Sequence, residues 1–255
     1  MTGDVDAVVD VLARDQSSAY QFMRIAEVLR EAKRYDDALV WAEKGLALHG
    51  SDSRLVEVAA EEYHRTGRGE DAVRVTWEAY GEAPGLRTYR QLAEHAQHAD
   101  LWPAWHDKAL DLLTTRIDQG KRKPARGRAT RWRAPGPDSS TLVEVLLFDG
   151  DVEQAWVEAS AAGCRRDLWL ELARRREEEH PLEAIPIWQA EVERSIDAKK
   201  NHAYAQAVEL IVRVGELMSA AGREADFTPY VAKLRALHKP KRNLMKLFDE
   251  RRWLS

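Results

Sequence analysis

A histidine cluster and one cysteine are the residues best suited to chemistry in this chain. His95 and His98 stand three residues apart behind Glu94, and His106 follows. Helical zinc proteases space two histidines four apart with a glutamate directly after the first, and the inverted form places the acid directly before the second. Neither order is met, so these histidines read as a solvated helix face. Cys164 lies beside Arg165 and Arg166, where positive charge could lower a thiol pKa. No base partner is identifiable, and a structural cysteine is the simpler reading. His180 precedes Pro181 at a helix start, which favours a turn role over chemistry. Gly67-Arg68-Gly69 has the wrong spacing for a dinucleotide loop. No phosphate loop, nucleophile elbow or kinase signature occurs. No catalysis, cofactor or metal is therefore expected.

Charge gives a second kind of candidate. Residues 121–133 carry Lys121, Arg122, Lys123, Arg126, Arg128, Arg131 and Arg133 with no acid among them, and Trp132 is interleaved. Outside that island 32 basic residues face 43 acidic ones, within a net charge of −4. Together with Lys239, Lys241 and Arg242, the island could contact phosphates with salt-dependent affinity. A solvated linker explains it more simply.

The chain is 32% charged and 44% hydrophobic over 255 residues, as in soluble helix-rich proteins rather than disordered ones. No run approaches the roughly 20 apolar residues of a membrane helix. The acidic start MTGDVDAVVD lacks the pattern of a signal peptide. A single cysteine permits no internal disulfide and suits a reducing cytoplasm.

The elements that must position these residues are most legible in Ile25–Asp52. Two amphipathic helices there meet at Lys33-Arg34-Tyr35-Asp36. Ala26, Ala38, Ala42 and Gly45 allow close approach, and Ile25, Leu29, Leu39 and Leu46 fill the seam. A shift of 34 residues brings a second copy into register, with Ala60, Tyr63, Ala72, Ala79 and Pro84 over Ala26, Leu29, Ala38, Gly45 and Gly50. A helix-turn-helix of that period resembles the tetratricopeptide repeat.

The spacing predicts units over about 19–52 and 53–86, preceded by a helix from Asp4, the expected N-cap, to Arg14. A weaker third unit holds Tyr89, Leu92 and Ala93, with Pro103 opening its second helix. His106 falls where the period wants a small residue, which implies a shortened turn. Residues 119–140, rich in proline and glycine, read as an exposed mobile linker between an N-terminal block at 1–118 and a C-terminal block at 141–255. The C-terminal block reads as degenerate helical hairpins, ending in a helix through Phe227 and Leu237 ahead of a basic tail. The expected fold class is all-α, a superhelix or solenoid of tetratricopeptide-like helical hairpins.

The C-terminal third resembles the helical region of bacterial SWIM zinc-finger family proteins. The resemblance lies in Trp169 to Arg174, His180-Pro181 with Ala184, the helix of Tyr204, Ala207 and Val208, and Lys241-Arg242-Asn243-Leu244-Met245. It implies a repeat region of similar hairpins. That family's zinc module uses Cys-x-Cys and Cys-x-His pairs, which a chain whose one cysteine is Cys164 cannot build. Zinc binding is accordingly not carried over.

In tetratricopeptide arrays the first helices line a groove for peptides or partner helices. Carried over by register, the resemblance places Tyr20, Met23, Arg24, Glu27 and Arg30 of unit one at the groove. From unit two it places Arg54, Glu57, Glu61, His64 and Arg65 there. The runs Glu61-Glu62 and Arg174 to Glu179 read as solvated helix faces, and Trp41, Trp77, Trp156 and Trp188 as packing residues. The expected function is a non-catalytic protein-interaction scaffold for a protein or peptide partner. The alternative is a nucleic-acid-associated accessory protein.

Overall fold

A computed structural model describes residues 2–50, 52–121, 138–251 and 253. It divides into two units, Met1–Ala125 and Arg126–Ser255. Among the described residues it is helical, with no β-strand.

The first unit contains α1 (Thr2–Leu12), α2 (Ala19–Glu31), α3 (Tyr35–His49), α4 (Ser53–Arg65), α5 (Gly69–Glu82), α6 (Leu86–His98) and α7 (Trp102–Lys121). Asp4 lies inside α1 rather than capping it. The starts of α2, α4 and α6 are 34 and then 33 residues apart, yet each hairpin's two helices start 16 residues apart, so the turn inside the third hairpin is not shortened. The missing residue is in α5, which has 14 residues against the 15 of α3. That one-residue slip sets Trp105 rather than His106 in register with Ala72. His106 instead packs edge-on against Trp102, with ring centroids 5.2 Å apart. Left-handed residues make the tight turns: Gly67 (φ 76°) after α4, and Lys33 (φ 61°) after α2, where a side chain tolerates the conformation at some cost.

Small residues hold each hairpin together. Ala38, Ala42 and Ala72 are fully buried, and a methyl on Gly45 would sit 2.8 Å from both the Phe22 Cβ and Leu55 Cδ2. Only glycine lets α3 come this close to α2 and α4. The first helices touch their successors, α2 on α4 and α4 on α6, while α3 and α5 each pack between two first helices. This tighter layer makes the first-helix side the inner one.

The second unit contains α8 (Ser140–Asp149), α9 (Val152–Ala162), α10 (Arg166–Arg176), α11 (Pro181–Asp197), α12 (Asn201–Ala220), α13 (Phe227–His238) and α14 (Arg242–Arg251). Gly150 (φ 86°) ends α8, and Asp151 caps α9 by accepting the Gln154 N–H at 3.0 Å. Pro181 occupies the first position of α11, where its missing N–H costs nothing. The segment read as a basic tail is a helix. Leu244 and Phe248 of α14 are buried with Val192 and Ile196 of α11 and Ile211 of α12. The tryptophans pack as expected, with Trp188 buried and Trp156 edge-on to Trp169 at 5.4 Å.

Two sequence readings are overturned by burial. Glu62 is fully buried beside the more exposed Glu61, and Arg176, within the charge run of α10, is 4% exposed. Both stand on the apolar stripe of their helix, so packing takes them inward whatever their charge.

Candidate functional site

The inner face of the first unit gathers most of the charged residues expected at the groove. Arg30 on α2 donates from Nη1 to Glu61 Oε2 on α4 at 2.7 Å. Arg65 reaches the same carboxylate at 3.5 Å and Glu62 at 3.4 Å. On α6, Gln91 donates through Nε2 to Glu57 at 2.8 Å and to the Ser53 carbonyl at 3.0 Å. His95 Nε2 lies 3.3 Å from Glu57, and its Nδ1 is 3.1 Å from His64 Nε2. His64 in turn stacks on His98, centroids 4.0 Å apart. Arg30, Glu61 and Arg65 thus form one cluster of ion pairs, and Glu57 and His64 belong to a second, adjoining chain of contacts through His95.

The remaining expected groove residues stand apart from them. Arg24 and Glu27 pair with each other within α2. Arg54 pairs with the α4 N-cap, Asp52, at 3.1 Å. Tyr20 is half-exposed at the start of α2, and Met23 packs on the Phe22–Leu55 cluster.

Glu62, Gln91, His95 and His98 belong to these clusters and Glu94 lines the cleft beside them; all five lay outside the expected set. His95 is 4% exposed, so the solvated-face reading fails for it. The signal for α6 was the period: advancing Arg54, Glu61 and Arg65 by 33 residues lands on Arg87, Glu94 and His98. Between α4 and α6 these groups enclose a cleft of about 340 Å³, lined by Glu57, Glu61, His64, Arg65, Glu94, His95 and His98.

The electrostatics of this cleft differ from group to group. The adjacent His95 ring, with help from Gln91, holds Glu57 below the usual carboxylate range. Burial pushes Glu62 up, against the pull of Arg65 and Arg30. His64 is pushed down to about 4, chiefly by burial and then by the facing His98 and His95. The folded chain therefore binds fewer protons at His64 than the unfolded chain, and stability is lost as pH falls from about 6.5 towards 4. We expect His64→Gln to flatten the decline of the urea midpoint over that window by about 1 kcal/mol, a value reduced for the ring's partial access to water. An unchanged pH profile would remove His64 from this role.

Elsewhere the candidates carry less. Burial pushes the Cys164 thiol up to about 12, opposite to the activation that Arg165 and Arg166 would provide. Lys241 is committed to the fold, donating to the Ile196 carbonyl at 3.3 Å and Asp197 at 3.2 Å at the end of α11. Lys239 and Arg242 are exposed. Arg122, Lys123, Arg126, Arg128, Arg131 and Arg133 lie outside the described residues, as does most of the expected linker. Lys121 ends α7. No described helix is long and apolar enough to cross a membrane.

No family model matches the chain, and no curated protein does. Among solved structures, it is similar to a tetratricopeptide repeat protein from Parabacteroides merdae at 12% identity and a TM-score of 0.34, covering 96% of this chain and 93% of that one. The MamA protein shares 14% identity at a TM-score of 0.31, with 88% and 93% covered. PilF of Pseudomonas aeruginosa shares 12% at 0.29, with 91% and 97% covered. Among the described residues the chain is all-α, and by its hairpin spacing and its layer of first helices the first unit is built of tetratricopeptide-like helical hairpins.

Proposed function

We propose that the first unit is a docking scaffold, in which an extended segment of a partner protein lies along α2, α4 and α6. The observation that carries this reading is a division of labour between the two helix layers. The small and apolar residues are spent on hairpin packing, while the inner layer presents charged and imidazole side chains around an open cleft. Such a surface offers hydrogen bonds and charge pairing to a backbone and its side chains, with no nucleophile–base pair to act on them. The likeness of the C-terminal third to SWIM-family helical regions suits a second, supporting array of hairpins. The lone buried cysteine suits a cytoplasmic setting.

A random peptide display library panned against the immobilised full chain tests this. Enriched peptides should bind the wild type and lose about tenfold or more in affinity with Arg24→Glu/Arg54→Glu, since each tenfold is about 1.4 kcal/mol and two exposed charges are reversed. Failure to enrich any peptide, or affinities indifferent to the double variant, would count against docking on this face.

A further inference from the structure

We propose that the cleft between α4 and α6 is the subsite for a basic side chain, arginine or lysine, of the docked segment. This rests on the docking reading above and adds the partner's chemistry to it. Three carboxylates, Glu57, Glu61 and Glu94, line the cleft, against the single guanidinium of Arg65. Glu61 is already shared between Arg30 and Arg65, whereas Glu94 is exposed and has no cationic partner among the described residues. The cleft is an anionic recess with one carboxylate free to pair.

The hydrogen-bond inventory points the same way. Among the described residues, five buried side-chain atoms lack a hydrogen-bond partner, and four are on α4 and α6: both carboxylate oxygens of Glu62, Gln91 Oε1 and His95 Nε2. Of these residues His95 lines the cleft, with Glu57 3.3 Å from its Nε2 as an ion-pair neighbour. The orientation of the Gln91 amide is fixed, because its nitrogen serves two acceptors, Glu57 and the Ser53 carbonyl. The cleft lining holds more acids than cations and includes one buried imidazole, His95, whose Nε2 lacks a hydrogen-bond partner. A guanidinium or ammonium entering beside Glu94 supplies positive charge and donors to the carboxylates of the lining. The stacked rings of His64 and His98 give a flat wall against which a planar guanidinium packs. An acidic side chain would instead face three carboxylates. A metal ion fits less well, because no group of three histidine, cysteine or acidic side chains among the described residues is disposed to hold one.

Fluorescein-labelled octa-arginine, compared with octa-citrulline of nearly the same shape and no charge, serves as the probe at physiological salt. The full-length chain should bind octa-arginine and ignore octa-citrulline. Glu94→Lys should weaken binding about tenfold or more. Glu178→Lys makes the same charge change at an exposed position of the second unit, and should alter affinity less than twofold. Equal weakening by the two variants would reduce the effect to net charge and overturn the subsite. Displacement of the probe by equimolar Zn²⁺ would reassign the cleft to a metal. Glu94 is exposed, so loss of the fold does not obscure the result, and an unchanged circular dichroism spectrum checks this. If display-selected peptides respond to Arg24→Glu/Arg54→Glu but not to Glu94→Lys, docking stands and the basic subsite falls. If no peptide is selected, docking falls, and octa-arginine still reports on the cleft.

Discussion

Phe22→Ala should destabilise the first unit by about 3–5 kcal/mol, the range for emptying a fully buried aromatic site. Phe22 has no exposed surface, and its ring lies 6.0 Å from Trp41 and 5.4 Å from His49 on α3. On its other side it clusters with Leu55 of α4, so one side chain joins the first hairpin to the next. The site cannot collapse around an alanine. Gly45 of α3 lies against it, so close that a methyl added there would be 2.8 Å from Phe22. Backbone held by two helical hydrogen-bond ladders does not fold inward to fill a hole, which places the cost in the upper half of the range. Repeat proteins are stabilised by each unit and its neighbour contacts, so damage at this joint frees α2 and α3 from the rest. Urea unfolding followed by far-ultraviolet circular dichroism should turn from one transition into two, the first at much lower urea. A loss below about 1 kcal/mol would show that the joint is held elsewhere.

The hairpins of the first unit were legible because their packing rests on residue size, which a sequence displays directly. Ala38, Ala42, Gly45 and their partners one period later mark where helices touch, and each is buried. The third hairpin was harder to place, since α5 is one residue shorter than α3, and that loss shifts the register of every side chain after it by one position, 100° around a helix. That single residue separates His106, assigned to the packing position, from Trp105, which occupies it. At the other end, Leu244 and Phe248 have the four-residue spacing of a helix stripe. Lysines and arginines around them made the segment look like a solvated tail. Burial of those two side chains against α11 and α12 decided otherwise, and tertiary packing overrode composition.

The candidate site was half legible for a related reason. Register placed Glu57, Glu61, His64 and Arg65 on the inner face, but the sequence treats a charge as a surface residue. Glu62 stands seven residues after Leu55 and three after Ala59, squarely on the apolar stripe of α4. A charge on such a stripe is either misplaced or used. Here it sits at ion-pair distance from Arg65 and Arg30. The same violation of pattern occurs in α10, where Arg176 follows Trp169 by seven residues and Leu172 by four. Both positions were visible as exceptions to amphipathicity, and neither could be given partners without the fold.

Arg176 therefore supplies the second large effect. Its guanidinium, 4% exposed, donates to Glu183 on α11 at 2.7 Å and pairs with Glu153 on α9, while its plane lies 4.9 Å from the ring of Trp156. One cation thus ties three helices of the second unit. Removing one member of a buried pair costs about 3–5 kcal/mol, mostly through the charge left behind. Here the abandoned carboxylates reach water, with Glu153 67% and Glu183 41% exposed. That relief puts Arg176→Met at about 3 kcal/mol, the lower end of the range. Arg176→Lys should recover less than half, since an ammonium cannot span both acids as a fork. The pH dependence separates a lost ion pair from lost packing. Arg176 holds Glu153 below its ordinary value of 4.5, so the stabilisation from this carboxylate is present above that pH and disappears as pH falls through the depressed value. The urea midpoints of wild type and Arg176→Met should consequently lie far apart at neutral pH and draw together in acid. A gap that stays constant down to the acid limit would assign the loss to the missing packing on Trp156 and leave the carboxylates without a part in it.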